Sequence, residues 1–282
     1  MKNSELPTVQ NIADLRDKRR ELEDPVGLVP TMGYLHEGHL SLVRQAKKEC
    51  ASVVVSIFVN PTQFSPQEDL SSYPRDLQRD LNLLQNIGAD LVWNPSPEDM
   101  YPQGYQTWVE LEKLVKPLEG AMRPTHFRGV ATVVAKLFNA VQPHKAFFGQ
   151  KDAQQAAVIK RMAQDLNFPL EVVVCPIVRA DDGLALSSRN IYLDKNERQA
   201  ATILYRSLQA AKRAYEDGER DANVLRGIVT DMINGEPLAK LQYISCADNE
   251  TLEELEQVSG KALLSMAVYF GKTRLIDNTI LG

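Results

Sequence analysis

Histidine and cysteine are scarce in this chain, with four of the first and three of the second in 282 residues. Cys50, Cys175 and Cys246 lie far apart, odd in number and outside any C-x-x-C pair, which argues against a disulfide framework and a cysteine metal site and fits a reducing cytoplasm. No apolar stretch approaches the roughly 18 residues that a membrane span needs, and the opening MKNSELPTVQ lacks the apolar segment of a secretory signal. A soluble, cytoplasmic protein with no membrane partner is the expectation. Positive charge is not in excess either. The net charge is −5, and the longest basic run, Lys18-Arg19-Arg20, is flanked by Asp17 and Glu21, so no nucleic-acid partner is expected. An anionic ligand must therefore be met by a local basic site. Two familiar nucleotide signatures are missing as well. There is no G-x-G-x-x-G, and Gly271-Lys272-Thr273 has Met266 where a P-loop needs its first glycine. That GKT reads as a turn between strands, and any ATP needs another phosphate cradle.

What the chain does have is apolar residue, 44% of the total, in a length that suggests one full domain and a smaller one. Short apolar runs alternate with amphipathic ones. Strands are expected at 27–29, 52–59, 90–93, 145–148 and 170–175, and helices at 38–50, from Pro74 to a C-cap at Gly88, at 129–141 and at 153–166. The β-branched run SVVVSIFV at 52–59 suits a central strand covered on both faces, with a subunit contact left open as another use. Strand and helix in alternation imply right-handed crossovers and a Rossmann-like, mostly parallel α/β sheet over residues 1–176. The texture then changes. A polar stretch at 179–190 leads to helical patterns at 194–216 and 222–233 and strand patterns at 241–246, 262–270 and 273–276, read as a smaller α+β lid domain over 177–282.

The strongest chemical signal is Pro30-Thr31-Met32-Gly33-Tyr34-Leu35-His36-Glu37-Gly38-His39, at the junction of the first of these strands with its helix. Two imidazoles bracket a glycine where a helix begins, so N–H groups, the positive end of the helix dipole and two ring donors meet at one point. Phosphate suits such a point. A surface histidine pair and half of a zinc site are the competing readings. Zinc is the weaker, because it needs a third ligand and neither H-E-x-x-H nor a cysteine partner is present.

An H-x-G-H after a first strand resembles the signature of the nucleotidyltransferase superfamily, which implies adenylyl transfer. Neighbouring words narrow the family. Val29-Pro30-Thr31-Met32-Gly33, Phe58-Val59-Asn60-Pro61-Thr62-Gln63-Phe64, Tyr73-Pro74-Arg75-Asp76, His126-Phe127-Arg128-Gly129-Val130, Phe147-Phe148-Gly149-Gln150-Lys151-Asp152 and Leu186-Ser187-Ser188-Arg189-Asn190 come in an order and spacing that resemble the pantothenate synthetase family. Gln150 departs from a position where glutamate is common in that family.

The resemblance implies ATP-driven joining of pantoate to β-alanine through an acyl adenylate. It places Met32, Gly33, Tyr34, Leu35, His36, Glu37, Gly38 and His39 on the ATP phosphates, with His39 as proton donor. It adds Gly149, Gln150, Lys151, Asp152, the Val178 backbone, Leu186, Ser187, Ser188 and Arg189 to the ATP site. His36, His39, Lys151 and Arg189 are the implied catalytic set, since fixed positive groups must screen charge that grows on the phosphoryl oxygens. Gln63 and Gln155 are implied pantoate contacts, and Gln63 also serves β-alanine. Tyr73, Arg75, Arg123, His126 and Arg128 are candidates for shaping entry or the β-alanine site, and His144 reads as a loop residue. No protein metal site is expected, so Mg²⁺ travels mainly on the ATP phosphates, and the family implies a homodimer. The 181–190 loop, with few packing side chains, is expected to be mobile without ATP and ordered with it. The rival functions are an H-x-G-H adenylyltransferase that stops at AMP transfer and a nucleotide-binding module without turnover.

Overall fold

A computed structural model describes residues 6–65 and 70–282, so the first part of the stretch read above for a signal lies outside the described residues. The chain divides into two compact units, Met1–Gly149 with Val158–Cys175, and Gln150–Ala157 with Pro176–Gly282.

In the first unit, β1 (Thr8–Val9), α1 (Ile12–Glu21), β2 (Val26–Thr31), α2 (Glu37–Glu49), β3 (Ser52–Ile57), α3 (Leu77–Ile87), β4 (Leu91–Trp93), the short α4 (Pro97–Met100) and α5 (Glu119–Met122), α6 (His126–Val141), β5 (Lys145–Gly149), most of α7 (Ala153–Asp165) and β6 (Glu171–Cys175) follow in order. Six parallel strands make the sheet, ordered β1-β4-β3-β2-β5-β6. The expected Rossmann-like sheet is present. Alternation explains why its strands read as continuous apolar runs. Leu28, Val54, Ala146 and Phe148 join one core with α1, α6 and α7, while Val29, Val53, Val55 and Phe147 join another with α2 and α3. Strands β2, β3 and β5 are thus covered on both faces. Fully burying side chains such as Phe138 and Phe147 contributes about 1.5–3 kcal/mol each. The 52–57 run is therefore core.

The strand order reverses at β2, which pairs with β3 on one side and β5 on the other. Ligands of open α/β sheets gather at the carboxyl ends of strands flanking such a reversal. Met32–His39 follows β2, and Gly149 ends β5. Two expectations shift here. Helix α3 starts at Leu77 with Asp76 accepting Arg79 N–H, so Pro74 stands outside it, and α6 starts three residues before Gly129. Gly88 is the left-handed cap expected at the end of α3.

The second unit holds the first turn of α7, then α8 (Lys195–Ala200), α9 (Ile203–Glu216), α10 (Ala222–Asn234), β7 (Ala239–Asp248), β8 (Ala262–Phe270) and β9 (Thr273–Leu281). Its three strands form an antiparallel sheet, β7-β8-β9, against which α9 and α10 bury Leu204, Leu208, Leu225 and Val229. The expected single helix over 194–216 is two. Thr202 Oγ1 donates to the Gln199 carbonyl (2.8 Å), an alternative to the helical ladder that breaks the run. Hairpin pairing with β8 carries β7 and β9 beyond their apolar patterns, and Gly271-Lys272 is the two-residue turn joining β8 to β9. The sequence boundary at 176 and the structural division differ at Pro176, which falls in the second unit, and over 150–157, which groups with the C-terminal part, tied there by bonds between its turn and Asn278. No helix among the described residues is long and apolar enough to cross a membrane.

Candidate active site

The turn after β2 is set by hydrogen bonds. Thr31 Oγ1 donates to the Ser56 carbonyl (2.9 Å) and accepts the Gly33 N–H (3.2 Å). Gly33 has φ +79°, and a Cβ there would stand 3.1 Å from Ile57 Cγ2 and 3.2 Å from Asp80 Oδ2. Only glycine meets both demands without strain. Asp80 of α3, almost wholly buried, accepts Tyr34 N–H (2.6 Å) and Leu35 N–H (2.8 Å). Burial pushes its carboxyl upward from the ordinary range, against the downward pull of these amides and of Arg79. Arg79 donates to the Leu35 carbonyl (2.9 Å) and lies over the Tyr34 ring, 5.1 Å from its centre.

The turn delivers the two histidines to the start of α2. His36 is the N-cap, its Nδ1 accepting Gly38 N–H (3.1 Å), while His39 Nδ1 accepts His36 N–H (3.3 Å). The rings lie 4.1 Å apart, centre to centre. A ring nitrogen that accepts carries no proton, so these bonds assign each neutral imidazole its proton at Nε2. Both rings thereby become Nε2–H donors at the positive end of a helix 13 residues long.

Met32 and Gln63 are brought together. Gln63 ends the 3-10 turn Pro61–Gln63, its Nε2 donating to Met32 Sδ (3.0 Å) and its Oε1 accepting from Asn60 Nδ2 (3.2 Å). The same Asn60 amide donates to the Gly129 carbonyl (3.2 Å), and Asn60 Oδ1 accepts the Tyr101 hydroxyl (2.8 Å). Helix α6 presses on this turn so closely that a Cβ on Gly129 would lie 2.5 Å from the Thr62 carbonyl oxygen and 2.7 Å from Gln63 N. His126 Nδ1 lies 2.9 Å from the Gln63 carbonyl, which can only accept, so Nδ1 carries the proton and Nε2 accepts from Arg123 (3.2 Å). His126 and Arg123 thus hold the Gln63 backbone. Arg75 donates to the Tyr73 carbonyl (3.0 Å), buried Tyr73 meets Phe64 edge-on, and Arg128 lies 4.4 Å over the Trp108 ring. His144 Nδ1 accepts Val26 N–H (3.0 Å) beside the start of β2.

In the second unit, the 3-10 turn Gln150–Asp152 precedes α7. Asn278 Nδ2 donates to the Gln150 and Lys151 carbonyls (3.0 Å each), and Gln150 Nε2 returns a bond to Asn278 Oδ1 (3.1 Å). Lys151 Nζ is 3.6 Å from Asp152 Oδ1. In the first turn of α7 Gln155 is half-buried, whereas its neighbour Gln154 is buried. Val178 accepts Leu186 N–H (3.0 Å), and Arg179 bridges to Ala185. Ser187 caps the 3-10 turn Ser188–Tyr192, its Oγ accepting Arg189 N–H (3.3 Å), and Ser188 is buried. Within 181–190, Asp181 and Asp182 are exposed, whereas Leu184 and Ala185 are buried and Leu184 joins the core. Among the described residues no group of three or more His, Cys, Asp and Glu is placed to hold a metal ion.

Residues 6–280 match the family model described as pantoate-beta-alanine ligase. The chain belongs to the pantoate-beta-alanine ligase family. It is 58% identical to the pantothenate synthetase of Pelotomaculum thermopropionicum over 98% of each chain. To that of Roseiflexus castenholzii it is 57% identical over 97% of this chain and 98% of the relative. The crystal structure of pantothenate synthetase from Thermus thermophilus superposes with a TM-score of 0.93 at 47% identity, covering 97% of this chain and 99% of that one. A ligase from Francisella tularensis, crystallised as a complex with beta-gamma ATP and beta-alanine, gives 0.81 at 36% identity over 98% and 97%.

In this ligase, sequence reasoning missed Asp80, Asp277 and Asn278. Asp80 had one available signal, a carboxylate in the word that follows Tyr73-Pro74-Arg75-Asp76. The other two lie where only the fold brings them near the motif blocks.

Proposed function

We propose that this enzyme uses ATP to adenylate the pantoate carboxylate and then joins the pantoyl group to β-alanine, releasing pyrophosphate and AMP. The observation that carries the reading is the reciprocal cap of His36 and His39, which makes both rings Nε2–H donors at the N-terminus of α2, at the point where the sheet order reverses. Met32 to His39 hold the ATP phosphates in this reading. His36 and His39 donate to oxygens that gain charge as the carboxylate attacks the α-phosphorus, and pyrophosphate departs with the bonding electrons of the α–β bridge. Lys151 and Arg189 supply the cations, Arg189 with a planar fork suited to phosphate. Asp152 accepts from the ribose hydroxyls, and Gly149, Gln150, Leu186, Ser187 and Ser188 complete the ATP contacts. The Val178 backbone, whose carbonyl also accepts the Leu186 N–H, meets the adenine ring.

Gln63 and Gln155 take pantoate, hydrogen-bonding its hydroxyls and carboxylate without neutralising the nucleophile, and Gln63 also meets β-alanine. The β-alanine amine then attacks the acyl carbon and expels AMP, losing its proton as the amide forms. Mg²⁺ enters as part of the substrate, on the ATP phosphates. The enzyme works in the cytoplasm as a homodimer.

Two half-reactions give the test. Labelled pyrophosphate should exchange into ATP when pantoate is present without β-alanine, and not when pantoate is omitted. ¹⁸O in the pantoate carboxylate should emerge in AMP. ADP as product, or exchange that ignores pantoate, would overturn the acyl adenylate, and AMP retained in the final product would identify a simple adenylyltransferase.

Truncating Gln63 or Gln155 to alanine should weaken pantoate by about 1 to 3 kcal/mol, since a buried partner loses its bond, and leave ATP affinity nearly unchanged. Titration that finds ATP weakened and pantoate intact would remove both residues from the pantoate site.

A further inference from the structure

We infer that Asp277 and Asn278, adjacent on β9, are positioning residues that fix the two cation-bearing segments, Asn278 acting on Lys151 and Asp277 on the loop of Arg189. The inference rests on the proposed roles of Lys151 and Arg189. Adjacent residues of a strand face opposite sides of a sheet. Asp277 shares its side with Leu275 and Leu281, which belong to the apolar core, yet it is a carboxylate only 1% exposed. Its partner is Arg179, whose fork meets both carboxylate oxygens at 2.6 and 2.9 Å. Arg179 also donates to the Gly183 carbonyl (3.1 Å), and its backbone bridges to Ala185, so the root of the strand-like loop leading to Ser187-Ser188-Arg189 is tied to β9.

On the opposite side, Asn278 is 2% exposed and spends both side-chain atoms on one three-residue turn. Its amide nitrogen holds the carbonyls of Gln150 and Lys151, and its oxygen takes the Gln150 side chain. The departure at Gln150 acquires a use, because a neutral amide can donate to Asn278 Oδ1 whereas an ionised glutamate could not. A buried ion pair and a buried amide add little net stability compared with apolar residues of similar size, and what they provide is a defined register. Here the register is that of two catalytic cations tied to one strand, a placement where an error of about 1 Å is enough to cost about 10²-fold in rate.

The test is a pair of double-variant cycles read by pantoate-dependent pyrophosphate exchange. Asn278→Ala should lower kcat about 10- to 100-fold, and in a Lys151→Ala background it should lower it less than about twofold, because its effect passes through Lys151. Asp277→Asn should behave likewise with Arg189→Ala. Asn278→Leu, of similar shape but with neither the donor nor a buried charge, guards against loss of fold in the alanine variant and should lower kcat at least as far, a cooperative thermal unfolding transition showing that the variant is folded. If Lys151→Ala is costly and Asn278→Ala multiplies its loss in full, Asn278 is merely structural and the inference falls alone. A Lys151→Ala variant with parental exchange would overturn both the role of Lys151 and the inference built on it.

Discussion

His39→Ala is expected to lower kcat of the pantoate-dependent exchange about 10²- to 10³-fold, with pantoate KM little changed. Losing one preorganised donor to a charge that appears only in the transition state has that signature. The structure adds a complication and its control. His39 Nδ1 also accepts the His36 N–H, so removing the ring frees a cap at the start of α2, worth about 1 kcal/mol of stability. His39→Asn separates the two effects. A short amide can reach back from the third helical position, as the Asp99 carboxylate does to the Ser96 N–H at the start of α4. It cannot place a donor where Nε2 stood. His39→Asn should therefore recover most of the denaturation midpoint lost in His39→Ala and almost none of the turnover. Turnover that returned with stability would show that the cap, and not the Nε2 donor, carries the effect.

How much of this was legible depends on where the information lies along the chain. Strands β2, β3 and β5 could be read because burial on both faces leaves few polar residues in them, and α2 because its apolar positions recur at helical spacing. β1 could not. Its two residues pair with Val92 and Trp93, and a two-residue strand has no periodicity to detect. The histidine pair was legible as residue types at a helix start, whereas the protonation assignment was not, because it follows from which backbone N–H each Nδ1 meets. Residues whose meaning is tertiary were invisible. Asp80 matters through amides some 45 positions away, and Asn278 through carbonyls 127 and 128 positions away. The same limit explains His126 and Arg123. They read as candidates for a substrate pocket, and in the fold they bond to the Gln63 carbonyl and to each other. Part of the packing of the 181–190 loop was hidden in the same way: its composition is polar, but Leu184 joins the core of the second unit.

One substitution made at two helical glycines should give results of opposite sign. In a solvent-facing helix interior, Gly→Ala removes backbone freedom from the unfolded chain and stabilises by roughly 0.5–1 kcal/mol. Gly227 in α10 meets that condition, since a Cβ there finds nothing within 4 Å. Gly227→Ala should raise the unfolding midpoint and leave kinetics alone. Gly129 in α6 is the contrary case. Its Cβ would lie 2.5 Å from the Thr62 carbonyl oxygen, 2.6 Å from the Thr62 carbonyl carbon and 2.7 Å from Gln63 N, all backbone atoms that cannot rotate away. Either α6 or the turn Pro61–Gln63 must move. α6 is buried along most of its length, with Val130, Val134, Leu137, Phe138 and Val141 in the core, so the turn is the part that yields. Displacing it breaks the Asn60 bond to the Gly129 carbonyl and draws Gln63 away from Met32. Gly129→Ala should accordingly destabilise the fold by about 1–3 kcal/mol, the usual range for an overpacked interior. It should also raise pantoate KM at least as much as Gln63→Ala does, since the whole turn shifts and not one amide alone. ATP affinity should change less than pantoate KM, since of the proposed ATP contacts only Met32 bonds to Gln63. The checks are a chemical denaturation curve for each variant and exchange kinetics over a range of pantoate. A Gly129→Ala enzyme with parental stability and parental pantoate KM would mean that α6 does not position Gln63, and would remove the turn Pro61–Gln63 from the pantoate site.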